Sequence, residues 1–293
     1  MIPKRPPLTS VVQEAISRFI EQQCGIRLGP EKGYLVEHRL VPVLQHFQLT
    51  SFEALRDRLM DKQDHEMRDR VLEAITTHET AFFRDRHPFE ALRQVVLPQA
   101  AKRWQATRAS LGRAAGPIRI WCAACSSGQE PWSMAMAILE WLPLCGVPGL
   151  AAGDFHILAT DLSARILEQA KRGAYTETEI ARGLTPGQVA RFLTRPVGAK
   201  ALQEVRPELR SMVEFRRVNM QEPFRTQGFF DLILCRNVLI YFADPFKRQI
   251  CESFHAMLHP GAYPMLGAAE SLFGISEGFA TERHGDTLMH CCP

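Results

Sequence analysis

The chain has 293 residues, 46% of them hydrophobic and 23% charged, an ordinary globular composition that is long enough for one or two domains with a sizeable core. No run of about eighteen apolar residues exists, which excludes a membrane-spanning helix, and MIPKRPPLTS at the start lacks the apolar stretch of a secretory signal. A net charge of +3 is too mild to imply nucleic acid as a partner.

Helical spacing comes first along the chain. Val11, Val12, Ala15, Ile16, Phe19 and Ile20 recur at three- and four-residue intervals. A second helix is expected from Pro30–Glu31 through Leu35 and Leu40, and Ser51 offers an N-cap for a third. Residues 1–75 carry 11 Lys/Arg and 11 Asp/Glu and read as a neutral N-terminal helical domain. Residues 76–117 read as a polar and aromatic connection, TTHETAFFRDRH, followed by a first helix of the catalytic domain, from Pro88 through Leu97. Lys102, Arg103, Arg108 and Arg113 form a basic stretch without acids.

From residue 118 to 293 the pattern changes to α/β. Strands are expected at Ile118–Cys122, His156–Thr160, Val213–Val218, Asp231–Cys235, Tyr263–Gly267 and Thr287–His290, with helical patterns between most of them. Ser163 is an expected N-cap for a helix reaching Arg172. That alternation predicts a doubly wound, mostly parallel sheet. Residues 175–212, rich in Pro and Gly, break the rhythm and read as an inserted, partly β subdomain with a hairpin near 192–206. Residues 163–217 hold 11 Lys/Arg against 6 Asp/Glu, so this face suits an acidic partner or is simply solvated. Cys122, Cys235 and Cys251 lie in apolar runs, so reduced thiols in a cytosolic setting are expected rather than disulfides. Cys122-x-x-Cys125 has no second pair or His cluster at ligand spacing, and no metal is expected.

The most informative segment is 118–142, IRIWCAACSSGQEPWSMAMAILEWL. An apolar strand enters a turn of small residues and leaves it as a helix, the form of a nucleotide-type site at the carboxyl end of a parallel strand. Yet the turn holds one glycine and ends in Glu130. A carboxylate is a poor neighbour for a pyrophosphate and a good one for an ammonium or a ribose. Asp161, closing the second strand, suits ribose hydroxyls, with an N-cap role beside Ser163 as the plain alternative. Asn219 and the pair Arg236-Asn237 close the third and fourth strands. The set points to a nucleoside ligand without phosphates.

The segments TTHETAFFRD, IRIWCAACSSGQEPWSMA, ILATDLS and LCRNVLIYF resemble, in order and spacing, those of the CheR-type chemotaxis protein-glutamate O-methyltransferases, from about residue 10 to residue 290. The resemblance implies a helical domain, an S-adenosylmethionine-binding α/β domain and a small inserted β-subdomain. It implies methylation of glutamate side chains on the cytoplasmic helices of chemoreceptors, with S-adenosylhomocysteine as product. It implies a cytoplasmic enzyme, read here as a monomer with no nucleic acid partner. Carried over by position, His78, Thr80, Arg84, Glu130, Asp161, Asn219, Met220, Arg236 and Asn237 are the expected cofactor-facing residues. Arg84 and Tyr241 are the expected catalytic ones.

The residue types fit the chemistry. A glutamate is already ionised near neutral pH and needs no general base. Orientation is what remains, and it can contribute on the order of 7–11 kcal/mol. Arg84 can hold a carboxylate with two donors, unless it forms an ion pair with Asp85 or Glu79. Tyr241 can offer a ring face to a sulfonium or be a core tyrosine. Glu130 suits the ligand's amino group, or is an acid at a helix N-terminus with Pro131 in the first position.

Three departures stand out. His78 replaces the family's usual Asn. The second helix, VEHRLVPVLQHF, has a single arginine, Arg39, and is expected to be interrupted at Pro42, which leaves the substrate contact weaker or different. The subdomain stretch TRPVGAKAL has one glycine, against the Gly-rich loop with which some members bind a receptor tail peptide. The competing readings are a methyltransferase of RNA or a small molecule, and a chemosensory module that holds the cofactor without turnover. A nicotinamide dehydrogenase ranks last, given the missing glycines.

Overall fold

Thr9 opens the first helix by accepting from the Val12 N–H, and the helical unit is built from such capped segments. The computed structural model describes residues 6–112, 115–195 and 202–293. Helix α1 spans Ser10–Cys24 and stops at Gly25, whose φ of 79° lies in the left-handed region that favours glycine; a Cβ there would lie 2.1 Å from Phe246 Cε1. Helix α2, Gly33–His46, runs straight through Pro42. The expected interruption is therefore corrected. Pro42 removes one ladder N–H, and buried Val36, Leu40, Val43 and Leu44 hold the turns on both sides. Helices α3, Phe52–Met60, and α4, His65–Ile75, are capped by Ser51 and Asp64. Arg39 donates to the carbonyls of Ala74 (3.2 Å) and Thr76 (2.7 Å), so the one arginine of α2 closes the C-terminus of α4. The compact unit comprises the chain through Thr77 together with Asn219–Pro223 and Tyr241–Phe246.

The second unit contains the remaining segments. After α5 (His87–Ala91) comes a π-turn at Leu92–Val96, then α6 (Leu97–Leu111). Pro98, within the first residues of α6, cannot donate, and the ladder widens just before it. The helix thus continues well past Leu97. Arg113 lies outside the described residues.

Five strands form an all-parallel sheet. They are β1 (Ile118–Ala123), β2 (Phe155–Asp161), β6 (Val213–Arg217), β7 (Phe230–Cys235) and β8 (Leu258–Leu266), in the order β6-β2-β1-β7-β8. Cys122 pairs with Ala159 on one side and Leu234 on the other. Helices α7 (Gln129–Trp141), α8 (Ala164–Arg172) and α12 (Asp244–Met257) punctuate the strands. The central strands are buried along nearly their whole length, which explains their continuous apolar runs. Trp121 stacks on Phe230 at 5.6 Å and donates its indole N–H to Thr160 Oγ1 at 2.9 Å. The chain first winds outward from β1 through β2 to β6, then returns to β7 and β8. The order reverses between β1 and β7, and ligands of such sheets bind beyond the carboxyl ends at that point.

Between β2 and β6 the chain makes a three-stranded antiparallel sheet, β3 (Ala174–Thr176), β4 (Leu193–Thr194) and β5 (Leu202–Val205), in the order β3-β5-β4. Helices α9 (Glu177–Ala181) and α10 (Pro186–Phe192) each begin with a capping box, Thr176 with Glu179 and Thr185 with Gln188; the short α11 (Pro207–Arg210) follows β5. Most of TRPVGAKAL, including Gly198, lies outside the described residues. Three arginines of 163–217 bind backbone carbonyls. Arg210 donates to the carbonyls of Lys171, Arg172 and Val205, Arg206 to those of Leu193 and Ala190, and Arg217 to that of Leu162. A final hairpin pairs β9 (Ala280–His284) with β10 (Thr287–Cys291). Strand β9 is mostly exposed and carries no apolar alternation to reveal it. No described helix is long and apolar enough to cross a membrane.

Candidate active site

The turn after β1 is held from several sides. Ala124, Ser126 and Gly128 have φ of 58°, 52° and 93°, a region that side chains with a Cβ enter only when their surroundings enforce it. Cys125 N–H donates to the Thr160 carbonyl at 2.8 Å, Ser126 Oγ to the His78 carbonyl at 3.0 Å, and the Tyr175 hydroxyl to the Ser127 carbonyl at 2.7 Å. The lone glycine has a local cause: a Cβ on Gly128 would lie 2.9 Å from Ala170 Cβ and 3.0 Å from the Tyr175 hydroxyl. Cys122 and Cys125 are buried, and burial pushes both thiols well up, so they are protonated packing residues. All eight cysteines are free, and the described residues contain no cluster that could hold a metal ion.

Asp161 is 7% exposed. Its Oδ2 accepts from Ser126 N–H at 2.9 Å and its Oδ1 from Ser163 N–H at 3.0 Å. Ser163 in turn caps α8 through Ile166 N–H. Asp161 thus ties the turn to the start of α8. Burial raises its pKa above the ordinary carboxylate value, against the pull of the Ser163 and Ser126 N–H groups and the nearby His78. We expect Asp161→Ala to weaken S-adenosylhomocysteine binding at least tenfold, since hydrogen bonds to a charged group contribute about 1.5–3 kcal/mol each. Calorimetry that finds unchanged affinity would remove Asp161 from the site.

Helix α7 begins at Gln129, so Glu130 sits in its first turn and Pro131 is the third helical residue rather than the first. Arg236, directly after β7, is the hub. Its side chain is 1% exposed. Nη1 donates to Glu130 Oε2 at 3.1 Å, and Nη2 to Asp85 Oδ2 at 2.8 Å and to the Arg84 carbonyl at 2.9 Å. Its guanidinium also lies 5.9 Å from the Phe89 ring centroid. The ion pair with Glu130 lies at the sheet's switch point. Glu130 is 13% exposed, and burial raises its pKa, with Arg236 and then Arg84 opposing and Glu270 adding to the rise.

This raised pKa has a definite sign. In the ligand-free protein the folded state binds the Glu130 proton more tightly than the unfolded chain. The contribution to stability is complete below the ordinary carboxylate value and is lost as pH rises through the raised one. A cationic ligand group reverses the preference, because it favours the ionised form. S-Adenosylhomocysteine affinity should therefore fall as pH drops through that same window. Glu130→Gln should flatten the profile measured by calorimetry, and an unchanged profile would detach Glu130 from the ligand.

The AFFRD segment is anchored by Phe82 and Phe83, both buried, and by Phe83 N–H donating to Ser133 Oγ at 2.9 Å. Phe83, Asp85 and Arg86 all have positive φ, at 46°, 68° and 50°. Asp85 is committed to Arg236, and Arg84 donates to the Glu79 carbonyl at 3.2 Å. Among the described residues Arg84 makes no ion pair with Asp85 or Glu79, and it remains half-buried beside Glu130. Thr80 is half-buried in the same connection. Asn237, at φ 59°, has a buried Oδ1 without a partner.

His78, Arg84, Glu130, Asp161, Arg236 and Asn237 thus share one unit, with Thr80. Asn219, Met220 and Tyr241 belong to segments grouped with the helical unit. There Asn219 Nδ2 donates to the Gln23 carbonyl at 2.7 Å, and the Tyr241 carbonyl accepts from Arg27 N–H at 2.9 Å. Sequence reasoning missed Asp85 as a partner of Arg236, Ser126 and Ser133 as anchors, and Glu270, which accepts from backbone N–H groups after β7. Of these, Asp85 lies inside AFFRD and Ser126 and Ser133 inside IRIWCAACSSGQEPWSMA, whereas Glu270 carried no signal.

A doubly wound sheet with carboxylates at its switch point, and a turn whose single glycine is packed against Ala170 and Tyr175, defines an α/β nucleoside-binding domain with no cradle for a pyrophosphate. Residues 78–286 match the family model described as CheR methyltransferase, SAM binding domain, and residues 14–76 match CheR methyltransferase, all-alpha domain. The chain is 39% identical over 274 residues to the chemotaxis protein methyltransferase of Vibrio anguillarum, covering 94% of each. It is 41% identical over 276 residues to chemotaxis protein methyltransferase 1 of Pseudomonas aeruginosa, covering 94% of this chain and 93% of that one. The Escherichia coli chemotaxis protein methyltransferase is 33% identical over 266 residues, covering 90% and 85%. The chain belongs to the CheR methyltransferase family, and its cofactor is S-adenosylmethionine. The donor set fits that cofactor: two carboxylates with raised pKa for cationic and hydroxyl groups, and a buried acceptor on Asn237 that lacks a donor.

Proposed function

We propose that the chain transfers a methyl group to glutamate side chains on the cytoplasmic helices of chemoreceptors, forming glutamate methyl esters in the cytoplasm. The observation that carries this reading is the arginine arrangement. Arg236 is consumed by Glu130 and Asp85, whereas Arg84, held in place through its own backbone carbonyl, keeps a guanidinium without a carboxylate partner among the described residues. Such a fork suits an incoming carboxylate in two-point geometry.

S-Adenosylmethionine, when bound, supplies a methyl group activated by its sulfonium. The protein's residues then have three tasks. Glu130 and Asp161 hold the ligand's amino and ribose groups. Arg84 orients the substrate carboxylate, which is already ionised, so no side chain needs to remove a proton. Buried Phe82, Phe83 and Phe89 fix the segment that carries Arg84. The test is label transfer from labelled S-adenosylmethionine to receptor cytoplasmic fragments, with RNA as a parallel acceptor. Labelled receptor supports the reading, and label on RNA alone overturns it.

A further inference from the structure

The segment after β7 makes only a single 3-10 turn, Leu239–Tyr241, and one carboxylate gathers three of the N–H groups from Asn237 to Ile240. Glu270 Oε2 accepts from Asn237 N–H at 2.6 Å and Gly267 N–H at 2.7 Å. Its Oε1 accepts from Val238 N–H at 2.8 Å and Ile240 N–H at 3.3 Å. The Glu270 N–H donates to the Gly267 carbonyl at 2.9 Å, which closes the turn after β8. Four donors from the ends of two neighbouring strands therefore converge on one side chain, and charge-assisted bonds of this kind are the stronger class.

The arrangement has a narrow tolerance. Asn237 sits at φ 59°, and a Cβ on Gly267 would lie 2.7 Å from Asn237 Nδ2 and 2.8 Å from its N. Asn237 Oδ1 is buried and makes no hydrogen bond, so it needs a donor that the protein itself does not supply. Glu270 touches none of Glu130, Asp161 or Arg84 through a hydrogen bond among the described residues, and the chemistry above does not use it.

We propose that Glu270 is a positioning residue for cofactor binding. Its carboxylate locks the segment Asn237–Ile240 so that the Asn237 side-chain Oδ1 meets a donor on the cofactor. This rests on the reading of the site as one for S-adenosylmethionine. Glu270→Gln keeps the volume but turns an NH2 group toward two backbone N–H groups.

The experiment is calorimetric titration of S-adenosylhomocysteine into the wild-type chain, Glu270→Gln, Asn237→Ala and the double variant, with folding checked by circular dichroism. The expected result is at least a tenfold rise in Kd for Glu270→Gln. The double variant should lose little more than the weaker single, because both changes remove the same contact. A second expectation is an unchanged KM for the receptor fragment. Should Glu270→Gln fail to fold, Gly267→Ala disturbs Asn237 with the carboxylate retained, and the same rise in Kd is expected. A folded Glu270→Gln with lowered thermal stability and wild-type Kd would overturn the proposal, as would strictly additive losses. Absence of binding by the wild type would instead overturn the cofactor reading beneath it.

Discussion

Arg236→Ala should lower the unfolding free energy by about 3–5 kcal/mol, the scale for removing one partner of a buried ion pair. The arginine's side chain is 1% exposed and bonds to Glu130, Asp85 and the Arg84 carbonyl. Its loss leaves Glu130 in a site where burial already raises the pKa, without the charge that chiefly offsets that rise. The cost is not only the pair, because the AFFRD segment is released at the same time. Arg236→Lys should recover only part of the stability. A single ammonium cannot reproduce a planar fork that serves two carboxylates and a carbonyl. Urea unfolding of both variants checks this. A loss below about 1 kcal/mol for the alanine variant would mean that the pair behaves like an exposed one, and the network would not hold the site.

Arg84→Ala should act on a different quantity. We expect the transfer rate to fall about a hundredfold, the scale of a mispositioned reactant, while S-adenosylhomocysteine affinity changes less than threefold. The side chain's hydrogen bond is to a backbone carbonyl, and its ion-pairing capacity is unspent among the described residues. Its removal therefore does not dismantle the Glu130–Arg236–Asp85 set. Single-turnover rates and calorimetry on the same preparation separate the two effects. Equal losses in both would place Arg84 in cofactor binding and remove its orienting role.

The features that were legible in the sequence are those with a local cause. Continuous apolar runs marked β1, β2 and β7, because strands covered on both faces leave few positions for polar residues. Ser51 and Ser163 announced their helices through side-chain caps. The chemical character of the β1 turn was also legible, since a missing glycine and a terminal acid are properties of residue types. What remained hidden depends on partners far apart in sequence. Asp85 and Arg236 are separated by 151 positions, and nothing local in either says that the guanidinium is spent on structure. Glu270 lies in an unremarkable AAES stretch, and its four N–H partners appear only once β7 and β8 are side by side. Pro42 misled in the other direction. Proline's local cost was real, but buried leucines and valines around it outweighed one missing hydrogen bond. Asn219, Met220 and Tyr241 follow sheet strands, yet chain order alone could not tell which unit their loops pack with.

The central claim is that a protein carboxylate receives the methyl group. It is tested most directly by incubating the wild-type chain and Arg84→Ala with labelled S-adenosylmethionine and a receptor cytoplasmic fragment, then treating the recovered fragment with mild base. The account predicts label on the fragment that base releases as methanol, and about a hundredfold less with the variant. Label that survives base, or none on the fragment while the wild type binds S-adenosylhomocysteine, would contradict it.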